Sequence, residues 1–136
     1  MQVTEIELNQ PVEVFFVQAD SFPQGISASF NKLNELLGKK YDHHIYGITL
    51  CNSDKLVYYA CAKENFEGEA ALLGLPTFII PNGRYLQTTL NNWPENLGKI
   101  PEIFDHLMAQ SNAKKQSLCV EDYITEDTML ALVQLA

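Results

Sequence analysis

The sequence predicts an α+β fold built from two βαββ repeats, and three observations lead to this prediction. Residues 45–64 have the composition of a β-hairpin, a similar hairpin recurs 72 residues later, and each hairpin follows one strand pattern and one helix pattern. The 136 residues, 46% of them hydrophobic, suffice for a single domain with a buried core. We place the first repeat at about residues 1–68 and the second at about residues 75–136.

The first hairpin is the clearest element in the sequence. Its arms, Ile45–Cys51 and Leu56–Ala62, are rich in β-branched and aromatic residues, and four polar residues link them. Few positions in either arm are polar, which is typical of strands covered on both faces. An offset of 72 carries Ile45–Cys51 onto Ser117–Tyr123 and Val57–Cys61 onto Met129–Val133. The chain is therefore predicted to contain the same hairpin twice, the second within Ser117–Leu135.

The first repeat opens with a strand and a helix. Val12–Val17 alternates in part and predicts a strand, and the apolar residues from Ile26 to Leu37 recur at helical spacing. Gly38 follows as a helix stop. The polar and small residues at 65–74 are expected to form only a connection between the repeats.

The second repeat starts with the strand patterns Thr77–Ile80 and Tyr85–Leu90, which Asn82-Gly83, a strong turn signal, separates. A second helix is predicted between Leu97 and Met108, with Pro101 tolerated in its first turn. Residues 111–116 then form a polar link to the second hairpin.

Strand alternation predicts which side chains face a central cleft. In the second hairpin Leu118 and Val120 share an apolar face that suits the helix, and Glu121 and Tyr123 share the other face with Cys119. The same treatment of the first hairpin gives an equivalent face made of Gly47, Thr49, Cys51, Val57, Tyr59 and Cys61. Two such faces would form a largely apolar pocket with one carboxylate, which selects cations by charge and by cation–π attraction.

The ligand-binding residues expected in this cleft are Glu121, Tyr123, Tyr59, Trp93, Thr49 and Tyr85. Each has a plainer interpretation. The pattern is equally consistent with Glu121 as an exposed strand residue, and residues such as Tyr59 and Tyr123 are more often packing residues than ligand contacts. Trp93 is either a lid over the cleft or part of the core.

Composition argues against nucleic-acid binding. The formal net charge is −8, and the longest basic runs are only Lys39-Lys40 and Lys114-Lys115. A nucleic-acid surface needs clustered basic residues, so no direct nucleic-acid binding is expected.

The three cysteines show no CxxC spacing and are expected to be buried thiols in a reducing compartment. No leader pattern and no long apolar run occurs, so we expect a cytoplasmic protein without a membrane segment. Asp42-His43-His44 lacks a third ligand at a defined spacing, which favours a solvated loop over a metal site. Without a glycine-rich phosphate loop or a nucleophile elbow, neither a cofactor nor a catalytic triad is expected.

Four segments together resemble a known family. They are Tyr46-Gly47-Ile48, Tyr58–Cys61, Ile80–Tyr85 and Val120–Tyr123, and in this order and spacing they resemble the GyrI-like, or AraC-type, effector-binding domain. The resemblance implies a two-fold βαββ repeat with a ligand cleft, in which a strand glutamate ringed by aromatic residues meets cationic lipophilic compounds. Glu121 matches that glutamate and Tyr123 the tyrosine two residues later. It also implies that residues 78–90 form one bent strand with a bulge at Asn82-Gly83.

The chain departs from the family in two respects. Leu130 and Gln134 stand where members often carry an acid and a proline, and the chain has no room for the helix-turn-helix of the regulators. The resemblance thus implies a stand-alone binding protein for a cationic small molecule. Two alternatives stay open: a small hydrolase in which Glu121 with Tyr59 or Tyr123 activates water, and a protein-interaction module such as the gyrase-inhibitor members. A regulator protein as partner and a homodimer also stay open.

Overall fold

Eight strands and three helices make up the part of the chain that the computed structural model describes, which is residues 1–38, 42–52, 55–110 and 118–135. The strands are β1 (Thr4–Leu8), β2 (Val12–Gln18), β3 (Ile45–Asn52), β4 (Lys55–Lys63), β5 (Thr77–Ile80), β6 (Gly83–Asn91), β7 (Cys119–Tyr123) and β8 (Thr128–Gln134). The helices are α1 (Ile26–Leu37), α2 (Glu69–Leu73) and α3 (Lys99–Met108), and a single 3-10 turn spans Trp93–Glu95. The molecule is therefore a mixed α and β fold, as predicted.

All eight strands belong to one antiparallel sheet. Its order is β1-β6-β8-β7-β3-β4-β2-β5, so that β3 and β7 pair at the centre and β1 and β5 lie at the two edges. Side chains from both edge strands, among them Ile6 of β1 and Phe78 of β5, pack into the same hydrophobic cluster. Since opposite edges meet in one cluster, the sheet is curled into a half-barrel.

The inner face of this half-barrel carries a core of its own. Its buried members are Val14, Phe16, Tyr46, Ile48, Cys61, Ile80, Tyr85, Leu118, Val120 and Leu132. The curl of the sheet buries this face, so the strands need no second layer of helices or strands to cover it. Leu118 and Val120 thus face the inside of the half-barrel, and the prediction that they face a helix is wrong.

The helices α1 and α3 cover the outer face. On α1, the fully buried Leu33 packs against Phe15 of β2 and Ala60 of β4. On α3, Ile103 and Leu107 pack against a cluster that includes residues of β6 and β8. Full burial of one leucine side chain stabilises the fold by about 1.5–3 kcal/mol. Because α1 lies over β2 and β4 and α3 over β6 and β8, the two central strands run between the helices.

The helix boundaries follow the predicted signals. The α1 helix spans Ile26–Leu37, and Gly38 ends it with a φ of 87°, a conformation that glycine adopts without steric cost. The α3 helix begins at Lys99, which puts Pro101 in its first turn, as predicted.

Three segments differ from the predictions. Asn82-Gly83 does not close a hairpin, because β5 pairs with β2 whereas β6 pairs with β1 and β8. Residues 65–74 contain the short helix α2, and β1 at Thr4–Leu8 was not predicted at all. The polar link at residues 111–116 lies outside the described residues. None of the helices within the described ranges has the length and apolar character that crossing a membrane requires.

Candidate ligand-binding site

Glu121 lies at the middle of a row of small residues that crosses the outer face of the sheet. Gly47 of β3 is its partner on one side and Ala131 of β8 on the other, and Gly47 pairs in turn with Ala60 of β4. Neither direct neighbour of Glu121 has a side chain larger than a methyl group. The row therefore crosses the central strands between the areas that α1 and α3 cover, and Glu121 supplies its central polar group.

Two phenols hold the Glu121 carboxyl group. The hydroxyl of Tyr58 donates a hydrogen bond of 2.9 Å to Glu121 Oε1, and the hydroxyl of Tyr123 donates one of 2.5 Å to the same oxygen. Glu121 is only 8% exposed. Among the described residues the ion pairs are His43–Glu69, His44–Asp122 and Arg84–Glu5, so Glu121 takes part in none of them. The hydrogen bonds that the structure shows to this buried acid therefore come from neutral donors.

Burial dominates the electrostatics of this group. Loss of solvent raises the pKa of Glu121, and the hydrogen bonds from Tyr123 and Tyr58 lower that pKa again without cancelling the effect of burial. Burial, together with the nearby Glu121 charge, also raises the pKa of both phenols far above the usual tyrosine value. Tyr58 and Tyr123 therefore remain neutral donors at any pH at which the protein would be studied.

Aromatic rings from five separate parts of the chain surround this carboxyl group. In this aromatic cluster Phe30 contacts Tyr58 and Tyr123 edge-on, with ring centroids 6.0 and 6.4 Å apart, and Trp93 contacts Tyr123 at 4.8 Å. Phe22 lies 6.0 Å from Tyr58. Edge contacts of this kind add about 0.5–1.5 kcal/mol each to the energy of burial. The cluster therefore surrounds one largely buried acid with aromatic rings.

Gly47 is required by the close approach of its neighbours. A Cβ atom at this position would lie 2.1 Å from the Tyr58 hydroxyl and 2.6 Å from Glu121 Oε1. Both distances are far inside van der Waals contact. The absence of a side chain at Gly47 therefore creates the space in which the phenol and the carboxyl group meet.

The structure brings together only some of the residues that the sequence assigned to the site. Glu121, Tyr123 and Trp93 are in one cluster, and Thr49 lies on the same face, paired with Tyr58 and Cys119. Trp93 is half-buried, and its indole N–H donates to the carbonyl of Thr125 at 3.3 Å.

Tyr59 and Tyr85 lie on the opposite face, and their predicted place beside Glu121 is corrected. Tyr59 stacks on Phe16 at 3.8 Å inside the half-barrel, where the Tyr85 hydroxyl donates to the carbonyl of Pro81. Burial raises the pKa of Tyr85 to about 12. Both side chains belong to the core on the far side of the sheet from Glu121.

The error at Tyr59 comes from the hairpin register. In the first hairpin Cys51 pairs with Leu56, whereas in the second Tyr123 pairs with Met129, so the second link is one residue longer. The first arms of the two hairpins correspond at an offset of 72 residues, so their second arms correspond at an offset of 73. A slip of one residue moves every side chain of a strand to the other face. The site therefore contains Tyr58 instead of Tyr59.

Sequence reasoning also missed the contribution of α1. The sequence placed Phe30 in the apolar stripe of the helix. Nothing in that stripe distinguishes a residue that contacts Tyr58 and Tyr123 from one, such as Leu33, that packs on β2 and β4. Tyr58 could have been found by counting the first hairpin from its own link, which pairs Thr49 with Tyr58.

The histidines form a separate polar region at the start of β3. His43 Nε2 lies 2.7 Å from Glu69 Oε2 of α2, and His44 Nε2 lies 2.6 Å from Asp122 Oδ1 of β7. These two contacts connect the residues just before β3 to α2 and to β7. Within the described ranges no group of three potential metal ligands occurs.

Two of the three cysteines have described side chains, and the two form no disulfide bond with each other. Cys61 is fully buried and Cys119 is half-buried. Burial raises the pKa of the Cys61 thiol well above its usual value.

Comparison with known proteins identifies the class of fold. No family model matches the chain, and no curated protein matches its sequence. Similar solved structures include integron cassette protein VCH_CASS2 from the mobile metagenome of Vibrio cholerae, with 14% identity, a TM-score of 0.76 and coverage of 98% of this chain and 95% of that one. SAV2435 bound to tetraphenylphosphonium has 12% identity, a TM-score of 0.64 and coverage of 98% and 94%. A hydrolase from Listeria innocua has 8% identity, a TM-score of 0.58 and coverage of 99% and 92%.

These likenesses extend over nearly the whole length of each chain. They show that the protein has the fold of this group, which agrees with the GyrI-like effector-binding fold that its sequence resembles.

Proposed function

We propose that this chain is a stand-alone binding protein for a cationic, partly aromatic small molecule, and that Glu121 selects the cation. One observation carries the proposal: a carboxyl group is buried among aromatic rings, and no cationic side chain of the described residues is its partner. A cation between the carboxylate and a ring face gains both charge attraction and cation–π attraction. SAV2435, which has the same fold, was solved bound to tetraphenylphosphonium, an organic cation with four phenyl rings.

The part of the outer face between α1 and α3 is the proposed entry. Phe30, Trp93 and Tyr123 are half-buried, so a ligand that displaces one of these rings reaches the Glu121 carboxyl group. Thr49 lies on the same face and offers a hydroxyl to the ligand.

The two halves of the chain are proposed to be related by a pseudo-two-fold axis between β3 and β7. The strand order supports this, since the sheet reads β5-β2-β4-β3 from one edge and β1-β6-β8-β7 from the other. Each half then contributes one helix to the outer face, and the site lies where the repeats, residues 1–68 and 75–136, meet. Within the described residues α1 and α3 both pack on the sheet, so we propose one binding site and a separate regulator protein that reads the bound state.

Calorimetric titration with tetraphenylphosphonium tests the proposal. We expect Glu121→Gln, which keeps the shape and removes the charge, to weaken binding about 5- to 100-fold, equivalent to about 1–3 kcal/mol. Triphenylphosphine oxide, an uncharged compound with three of the same rings, should lose little affinity. Asp122→Asn is a matched control, because it removes a charge from the neighbouring residue on the opposite face of the strand. Equal affinity of the parent and Glu121→Gln for the cation would show that the carboxylate is not the selector.

A hydrolase is the second candidate. A carboxyl group with a raised pKa beside a phenol has the properties of a general base or acid, and the Listeria innocua protein with this fold is described as a hydrolase. Under this alternative the parent turns over an electrophilic substrate such as p-nitrophenyl acetate and Glu121→Gln does not.

A further inference from the structure

We propose that cation binding at Glu121 is a proton exchange, in which the ligand-free site holds a protonated carboxyl group and the arriving cation displaces that proton into solvent. The inference rests on the proposed cation site and adds regulation of that site by pH. The affinity for a cation then depends on pH, whereas the affinity for an uncharged compound of similar shape does not.

The geometry around Glu121 supports the neutral form in the empty site. The carboxyl group lies under the aromatic cluster at 8% exposure, and its hydrogen bonds come from the two phenols, Tyr58 and Tyr123. Both phenols converge on Oε1, which leaves Oε2 as the oxygen that carries the proton. A buried carboxylate without a cationic partner is costly, and the usual result is protonation.

In the part of the chain that the structure describes, the groups that face Glu121 from the surrounding elements carry no positive charge. The residues beside it on β3 and β8 are Gly47 and Ala131, and the helices contribute apolar residues, Phe30 from α1 and the buried Ile103 and Leu107 from α3. The ionisable side chains of the sheet on this face include the two phenols and the Cys119 thiol, whereas the Cys61 thiol lies on the opposite face. Burial raises the pKa of both phenols. Burial likewise raises the pKa of Glu121.

The exchange balances in charge and atoms. The O–H bond of the Glu121 carboxyl group breaks, the proton goes to water, and the carboxylate that remains neutralises the cation. No covalent bond to the ligand forms. The net charge of the site is zero before and after, so the low-dielectric cluster never contains an unpaired charge.

The test is a titration with tetraphenylphosphonium between about pH 4.5 and 8, in pairs of buffers with different ionisation enthalpies, which gives the number of protons released. We expect up to one proton released per cation bound. As the pH rises towards the pKa of the carboxyl group, the Kd for the cation should fall about tenfold per pH unit, and above that pKa it should level off. Thermal unfolding at each pH confirms that the protein is folded.

Two variants make the result specific. Glu121→Gln should bind the cation weakly with no proton release and no pH dependence. Tyr58→Phe removes a hydrogen bond that favours the carboxylate, so the levelling-off should move to higher pH, a shift that a merely structural role of Tyr58 would not cause. Triphenylphosphine oxide should bind the parent with the same Kd throughout.

The failures are distinguishable. A measurable Kd that stays constant across the range, without proton release, overturns the exchange and leaves the cation site in place. No binding of tetraphenylphosphonium at any pH overturns both proposals.

Discussion

Gly47 and Glu121 act as one unit at the level of single residues. The carboxyl group and the Tyr58 phenol occupy the volume that a side chain at position 47 would need. A glycine inside a strand ordinarily weakens it, by roughly 0.5–1 kcal/mol relative to alanine. Here the missing side chain is what allows a buried acid to receive its hydrogen bonds.

Gly47→Ala should therefore destabilise the protein, although the same change elsewhere in a strand would stabilise it. Overpacking by one methyl group costs about 1–3 kcal/mol in the free energy of unfolding, measurable by urea denaturation. Gly98→Ala is the control, because a Cβ there would have no atom within 4 Å. Unchanged stability of Gly47→Ala would mean that Tyr58 and Glu121 do not approach as closely as described.

The hairpin register decides the composition of the site at the level of elements. The β3 and β4 strands pair so that Tyr58 lies beneath the aromatic cluster and Tyr59 inside the half-barrel. Two adjacent tyrosines in one strand thus have different environments. Of these two adjacent tyrosines, Tyr58 is the one whose hydroxyl hydrogen-bonds to Glu121.

We expect Tyr58→Phe to lower the free energy of unfolding by about 0.5–1.5 kcal/mol, because it removes one buried hydrogen bond. Tyr59→Phe keeps the ring that stacks on Phe16 and should change that free energy by less than about 0.5 kcal/mol. Urea unfolding of the two variants at one pH compares them directly. A larger loss for Tyr59→Phe would contradict the register.

The curled sheet separates two cores with different roles at the level of the whole molecule. The inner core contains side chains of all eight strands or their immediate flanks and is almost entirely apolar. The outer face, by contrast, contains the buried acid Glu121 and the aromatic cluster around it. The helices on that face pack against the sheet through buried leucines and isoleucines, which leaves neither of them free to enter a DNA groove.

We accordingly expect no specific DNA complex from the isolated protein in a fluorescence polarisation assay at about 0.15 M salt. The net charge of −8 opposes binding to phosphate at any sequence. A repeat at about 0.05 M salt separates non-specific attraction, which salt removes, from recognition. A sequence-specific complex that persists at the higher salt concentration would refute the expectation.

The sequence by itself determined the order of the main elements. Helix periodicity located α1 and α3, composition located the hairpin arms, and Gly38 marked the end of α1. These signals are local, because they depend on side chains within one or two turns of each other. Glu121 and Tyr123 could be assigned to one face for the same reason, since they are two residues apart in a strand.

Only the tertiary structure decided which face of each strand lies inside the half-barrel and which lies under the helices. The choice between Tyr58 and Tyr59 depends on one extra residue in a link, and the position of α3 over Ala131 instead of Leu132 depends on the curl of eight strands. Both faces of β7 and β8 are apolar enough to be buried, so hydrophobic pattern alone could not say which one the helix covers. The row around Glu121 therefore became visible only when the strands were assembled, because it combines small residues of β3, β4 and β8 with Glu121 of β7.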